Sequence, residues 1–144
     1  MISPDRLLLL LRGVQGAGKT ALANSLIYMK GDSESDAQAF AADDYFYQAD
    51  GSYLFNPDKL NKAHKECFAK TEAAMQDFTS LIIVHNTFSR AAELTPYYKL
   101  GETYGYRVAS VVVENRHGNI DSHGVPSEVR EEFSRRIKSN IKLI

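Results

Sequence analysis

Cysteine is nearly missing: in 144 residues there is one, Cys67. A lone cysteine cannot close an internal disulfide, and without a C-x-x-C pair there is no thiolate set for a structural zinc site. A reducing, cytoplasmic compartment is the resulting expectation. Charge of one sign is lacking too, since 17 Lys and Arg face 18 Asp and Glu for a formal charge of −1. No global field draws the chain to nucleic acid or anionic lipid, so any polyanion must meet a local basic patch. Long apolar runs are also lacking. Leu7 to Leu11 is the one continuous aliphatic stretch near the N-terminus, far short of the ~20 residues that a membrane span needs. Arg6 in front gives it the look of a signal peptide, but Arg12-Gly13-Val14-Gln15-Gly16 offers no small-residue cleavage site. Neither a targeting segment nor a membrane partner is expected. There is no repeat, linker or low-complexity tract. What is present, 44% hydrophobic and 24% charged residues, is the composition of an ordinary globular domain, and the length suits one domain over 1–144.

Patterning along the chain alternates strands with helices. Leu7 to Leu11, apolar at every position, predicts a parallel strand covered on both faces. Thr20 to Lys30 carries Leu22, Leu26 and Ile27 at helical spacing and stops at Gly31, as a helix C-terminus does. Ala37 to Ala42 predicts a short second strand that delivers Asp43-Asp44. An aromatic, irregular stretch from Tyr45 to Phe55 precedes Asn56-Pro57-Asp58, which opens a helix over about Lys59 to Phe78. Leu81 to Val84 predicts a third strand ending at His85-Asn86-Thr87, and Ala91 to Tyr104 a helix closed by Gly105. Arg107 to Glu114 predicts the fourth strand, and Pro126 begins a last helix. This order specifies an α/β fold, a three-layer domain with a mainly parallel sheet of four or five strands, whose ligands collect at the carboxyl ends of the strands. Asp43, His85 and Glu114 are all expected at such ends.

Gly13-Val14-Gln15-Gly16-Ala17-Gly18-Lys19-Thr20 matches G-x-x-x-x-G-K-[ST] and lies between a predicted strand and a predicted helix, as a P-loop must. Gly13, Gly16, Ala17 and Gly18 let backbone amides converge on the phosphates of ATP or another nucleoside triphosphate, with the following helix presenting its positive end to the same anion. Lys19 would pair with the β- and γ-phosphates and Thr20 would ligate Mg²⁺. The alternative, an accidental glycine turn, has to explain both the exact spacing and the strand-turn-helix context.

A P-loop alone does not choose a reaction. Ala42-Asp43-Asp44-Tyr45-Phe46 places a carboxylate just past the second strand, where an acceptor hydroxyl aligned with the γ-phosphate could lose its proton. Asp43 is the candidate base; the competing role for Asp43 or Asp44 is a turn or helix cap. Phosphoryl transfer also needs positive charge over the leaving group, commonly from an arginine on a closing lid. Residues 115–125 are the candidate lid, with Arg116 its first candidate and Arg130, Arg135 and Arg136 following on the last helix. Solvent exposure is the commoner role for any one of them. Tyr45, Phe46, Tyr47, Tyr53 and Phe55 could stack a nucleobase or form core, and core is the commoner role.

The chain resembles phage-type 5′-polynucleotide kinases and the P-loop kinases and AAA-type ATPases related to them. The likeness covers nearly the whole chain. It rests on Arg12-Gly13 through Thr20, Ala42-Asp43-Asp44-Tyr45-Phe46, Asp50-Gly51-Ser52-Tyr53-Leu54-Phe55-Asn56-Pro57, Ala63-His64, Asn86-Thr87, Tyr97, Gly105-Tyr106 and His123-Gly124-Val125-Pro126. The resemblance implies a P-loop kinase fold, Asp43 as general base, the amide after the third strand at Asn86, and Arg136 as the second candidate arginine. It implies an ATP-dependent transfer to a hydroxyl, with the 5′ end of a nucleic acid or a nucleotide-like alcohol as acceptor. Two departures stand out. Phe46 occupies the place where polynucleotide kinase has an arginine for the acceptor phosphate, and His85 stands where many relatives have an acid. A small-metabolite kinase of the same fold, and a nucleotide-dependent binding or regulatory module with little turnover, therefore remain the alternatives.

Overall fold

A computed structural model of the chain describes residues 5–31, 33–116 and 124–141. The elements are β1 (Leu7–Arg12), α1 (Lys19–Lys30), β2 (Ala37–Phe40), 3-10 turns at Ala42–Phe46 and Pro57–Lys59, α2 (Leu60–Gln76), β3 (Leu81–Asn86), α3 (Ala91–Tyr104), β4 (Arg107–Val112) and α4 (Ser127–Asn140). The four strands form one sheet in the order β2-β3-β1-β4, and every pairing is parallel.

Alternation along the central strands divides the core into two layers. Leu8 and Leu10 of β1 and Ile82 and Val84 of β3 face one side, where they pack with Cys67 and Met75 of α2 and Leu94, Tyr97 and Leu100 of α3. Leu11 and Ile83 face the other side and meet Ala23 of α1, with Leu22, Leu26 and Ile27 packed around them. The sheet thus lies between α1 and the α2–α3 pair, giving three layers. The continuous leucine run is explained by this double cover.

The path of the chain sets the place of the site. From β1 it runs through α1 to the edge strand β2, passing the position of β3; it then returns through α2 to β3 and crosses through α3 to β4. The loops after β1 and β3 leave adjacent strand ends for opposite faces, which opens a crevice between them at the topological switch point.

Strand ends near the site differ from the sequence expectation. β2 stops at Phe40, because Ala42–Phe46 curls into a 3-10 turn. β3 continues to Asn86, so His85 and Asn86 are strand residues paired with Leu11 and Arg12. β4 ends at Val112, two residues before Glu114. α4 is fastened by Asn140, whose Nδ2 donates to the Ser89 and Arg136 carbonyls while its Oδ1 accepts from the buried Arg12 guanidinium; Arg12 also donates to the Phe88 carbonyl. Residues 117–123 of the expected lid lie outside the described residues.

Candidate functional site

The P-loop leaves the carboxyl end of β1 and turns directly into α1. Gly18 takes the N-cap position at φ 103°, a left-handed conformation that favours glycine, and nothing lies within 4 Å of where its Cβ would stand. No side chain caps α1 and its first turn contains no acid. The unsatisfied amides and the positive end of the helix dipole are thereby left for an anion. Lys19 Nζ curls back to donate to the carbonyls of Gly13 at 2.7 Å and Val14 at 2.9 Å. Amide donors, an ammonium and the exposed Thr20 hydroxyl are a donor set that fits a polyphosphate and its divalent ion. Among the described residues no group of three or more His, Cys, Asp and Glu side chains could hold a metal by itself. An ion here would draw most of its ligands from phosphate oxygens and water, as Mg²⁺ at nucleotide sites does.

The end of β3 ties this loop to the candidate base. Thr87 accepts the Gly13 N–H on its carbonyl at 3.2 Å and the Gln15 Nε2 hydrogen on its hydroxyl at 3.2 Å. Gln15 Oε1 is buried with no hydrogen-bond partner among the described residues. On the other side Asn86, buried, accepts the Ala42 N–H on Oδ1 at 2.8 Å and directs its Nδ2 to the Cys67 sulfur at 3.8 Å. The amide that the resemblance singled out therefore holds the start of the Asp43 turn. Between them His85 Nδ1 lies 3.4 Å from Thr20 Oγ1. Burial pulls the His85 pKa below its ordinary value; Asp44 opposes that, Lys19 adds to it and Asp43 opposes, leaving it lowered.

The adjacent aspartates divide their roles. Asp44 Oδ2 accepts the Ala41 N–H at 3.0 Å and closes the 3-10 turn, so the capping role belongs to Asp44. Asp43 is exposed, and its Oδ1 accepts the Tyr53 hydroxyl at 3.0 Å. Tyr53 reaches it through a small hairpin: Tyr47 and Tyr53 form an antiparallel bridge, Gln48 N–H donates to the Ser52 carbonyl and Leu54 N–H to the Phe46 carbonyl. This partnership was missed from the sequence. Asp50-Gly51 midway between two tyrosines was the available signal for the turn.

The aromatic cluster splits between the two expected roles. Phe46 is buried at 2% exposure, edge-on to Tyr45, Tyr53 and Phe55. Tyr47 and Phe55 remain about half exposed, at 49% and 52%. Lys19, Thr20, Asp43 and His85 are brought to one crevice, whereas the arginines are held within their own segments. Arg116 is exposed and pairs with Glu114; Arg136 pairs with Glu132 one turn earlier and lies over the Phe133 ring. In the first turn of α4, Arg130 Nε is buried with no hydrogen-bond partner among the described residues.

Comparison with solved structures places this architecture. A chain in the structure of the Pnkp1/Rnl/Hen1 RNA repair complex superposes with a TM-score of 0.73 at 19% identity, covering 93% of this chain and 44% of that one. The fold is that of a P-loop kinase. APS kinase CysC of Mycobacterium tuberculosis, solved as a Cys556Ala mutant, is similar with a TM-score of 0.53 at 13% identity, over 94% of this chain and 99% of that one. By sequence the chain is 37% identical over 101 residues to NEDD4-binding protein 2 of Homo sapiens, which is 70% of this chain and 5% of that protein. It thus spans a small part of that relative's length. No family model matches the chain.

Proposed function

We propose that the chain transfers the γ-phosphoryl group of ATP, or another nucleoside triphosphate, to a hydroxyl, with the 5′ end of a nucleic acid as acceptor. One observation carries the reading: the end of β3 binds the P-loop through Thr87 and the Asp43 turn through Asn86, so the anion cradle and the carboxylate flank one crevice. The loop of Gly13, Gly16, Ala17 and Gly18 holds the triphosphate together with Lys19, through the Gly16 and Gly18 amides, while the Gly13 N–H stays on Thr87 and the Ala17 N–H on Val14; Thr20 holds Mg²⁺. Bound there, the ion neutralises charge on the phosphate oxygens. Asp43 takes the acceptor's proton as its oxygen forms the new bond to phosphorus, and the bond to the β-phosphate breaks to release the diphosphate. A cation is needed over the leaving group: Arg116 is the first candidate and Arg136 the second, each having to leave its own-segment carboxylate, and Arg130, whose Nε has no partner among the described residues, is a third. The likeness to a chain of an RNA repair complex supports the nucleic-acid acceptor.

Incubation with labelled ATP and a panel of 5′-hydroxyl oligonucleotides tests this. Label should pass to the oligonucleotide, and Asp43→Asn should abolish transfer while sparing ATP binding. Absence of transfer to every oligonucleotide overturns the nucleic-acid acceptor. The second reading, a small-alcohol kinase, is favoured by Phe46, an uncharged and buried ring where the resemblance would have an arginine for an acceptor phosphate. Turnover in a screen of small alcohols would establish it. ATP binding with no acceptor-stimulated turnover, unchanged by Asp43→Asn, would instead indicate a binding module.

A further inference from the structure

The β3 end presents a nitrogen donor beside the hydroxyl that holds the divalent ion. His85 pairs in register with Leu11, two residues before the P-loop begins, and its Nδ1 lies 3.4 Å from Thr20 Oγ1. In an octahedral site with ligands at about 2.1 Å, adjacent ligands stand about 3.0 Å apart. The observed separation is close to that edge, so one ion could accept both atoms after a shift of a few tenths of an ångström. The nearby carboxylates are engaged in the turn: Asp44 caps Ala41 and Asp43 accepts from Tyr53.

Resting on the nucleotide-binding reading above, we propose that His85 is a direct nitrogen ligand of the divalent ion that accompanies the nucleotide, which biases the site toward Mn²⁺ and Co²⁺ over Mg²⁺. Mg²⁺ keeps oxygen ligands and gives up water reluctantly, whereas first-row transition ions accept imidazole. The bias comes from one ligand in an otherwise oxygen-donor shell. It is therefore a change in preference among ions, with nucleotide binding itself left to the P-loop.

The test uses the full chain with ADP as the probe nucleotide. Pulsed electron paramagnetic resonance of the Mn²⁺·ADP complex should show a nitrogen coupling of directly bound imidazole, and His85→Gln should remove it. ADP affinity with Co²⁺ relative to Mg²⁺ should fall about tenfold in His85→Gln, and His85→Asp should move the preference to Mg²⁺. ADP binding by both variants serves as the check that they fold. A Mn²⁺·ADP complex without nitrogen coupling, or with one that persists in His85→Gln, overturns the proposal alone. Failure of ADP to bind with any of the three ions overturns it together with the nucleotide-binding reading.

Discussion

Tyr53 gives its hydroxyl hydrogen to Asp43 Oδ1 at 3.0 Å, while its ring packs edge-on against Phe46 and Tyr47. The two contacts can be separated, because Tyr53→Phe keeps the ring and deletes the hydroxyl. A hydrogen bond to a charged group is worth about 1.5–3 kcal/mol, or roughly ten- to a hundredfold in rate if it orients the base in the transition state. Tyr53→Phe should lower kcat by about that factor and leave the KM for ATP unchanged, because the proposed function gives nucleotide binding to the P-loop. Steady-state kinetics against ATP at saturating acceptor checks this. A variant with native kcat and a reduced melting temperature would show that the hydroxyl only braces the hairpin. The neighbouring Asp44 illustrates how little a carboxylate's identity says by itself. Two aspartates side by side in the sequence offered both a base and a cap, and only the bond from the Ala41 amide assigns the cap to Asp44.

At the scale of elements, α3 and β4 meet at Gly101, where an added Cβ would stand 2.2 Å from Val108 Cγ2. Alanine in a helix interior gains about 1 kcal/mol over glycine, while overpacking a filled contact costs about 1–3 kcal/mol. The valine is β-branched and cannot swing aside as a long side chain would, so overpacking should win. Gly101→Ala should be destabilising by roughly 1 kcal/mol. Chemical denaturation should show the loss disappearing, or reversing, when the substitution is made in a Val108→Ala background. The same scale explains what the sequence could disclose. The leucine run of β1, the spacing of α1 and the termini of α3 were legible because apolar periodicity and glycine stops are local signals. The end of β3 was not, since His85 and Asn86 are polar and look like loop; they continue the strand by pairing with Leu11 and Arg12, residues distant in the chain. The candidate site divided along the same line. Its P-loop is a contiguous motif, whereas the Tyr53–Asp43 and His85–Thr20 contacts depend on a hairpin and a strand pairing that only the fold supplies.

For the whole molecule, pH and, on the proposed function, nucleotide should both act on the stability of the fold. Cys67, Tyr97 and Tyr106 share the core layer beneath α2 and α3. Burial is the main cause that raises the pKa of each, and the Tyr97 hydroxyl also contacts the Cys67 sulfur. These groups ionise near about 8.5 for the thiol and about 10 for the phenols once unfolded. Above those values the native state holds more protons than the unfolded one, so stability falls as pH rises. Urea midpoints should hold between about pH 7 and about pH 8.5 and decline beyond it, with a shallower decline in Tyr97→Phe; below about pH 6.5 the lowered His85 pKa makes them fall again. Nucleotide acts in the opposite direction. A ligand at a hundredfold its dissociation constant stabilises the native state by about 2.7 kcal/mol, and a domain of this size gains about 2–4 °C in Tm per kcal/mol. ATP with a divalent ion should therefore raise the Tm by roughly 5–10 °C. Lys19→Ala should remove most of that shift, since the proposed function offers to the phosphates the ammonium that folds onto the Gly13 and Val14 carbonyls. Asp43→Asn should keep it, because Asp43 is assigned to the acceptor's proton. Chelating the ion should lower it without abolishing it, as the amides of the P-loop still meet the anion. A full shift in Lys19→Ala would place the nucleotide somewhere other than the crevice between β1 and β3, and a lost shift in Asp43→Asn would move that carboxylate from the chemistry to the binding of the nucleotide.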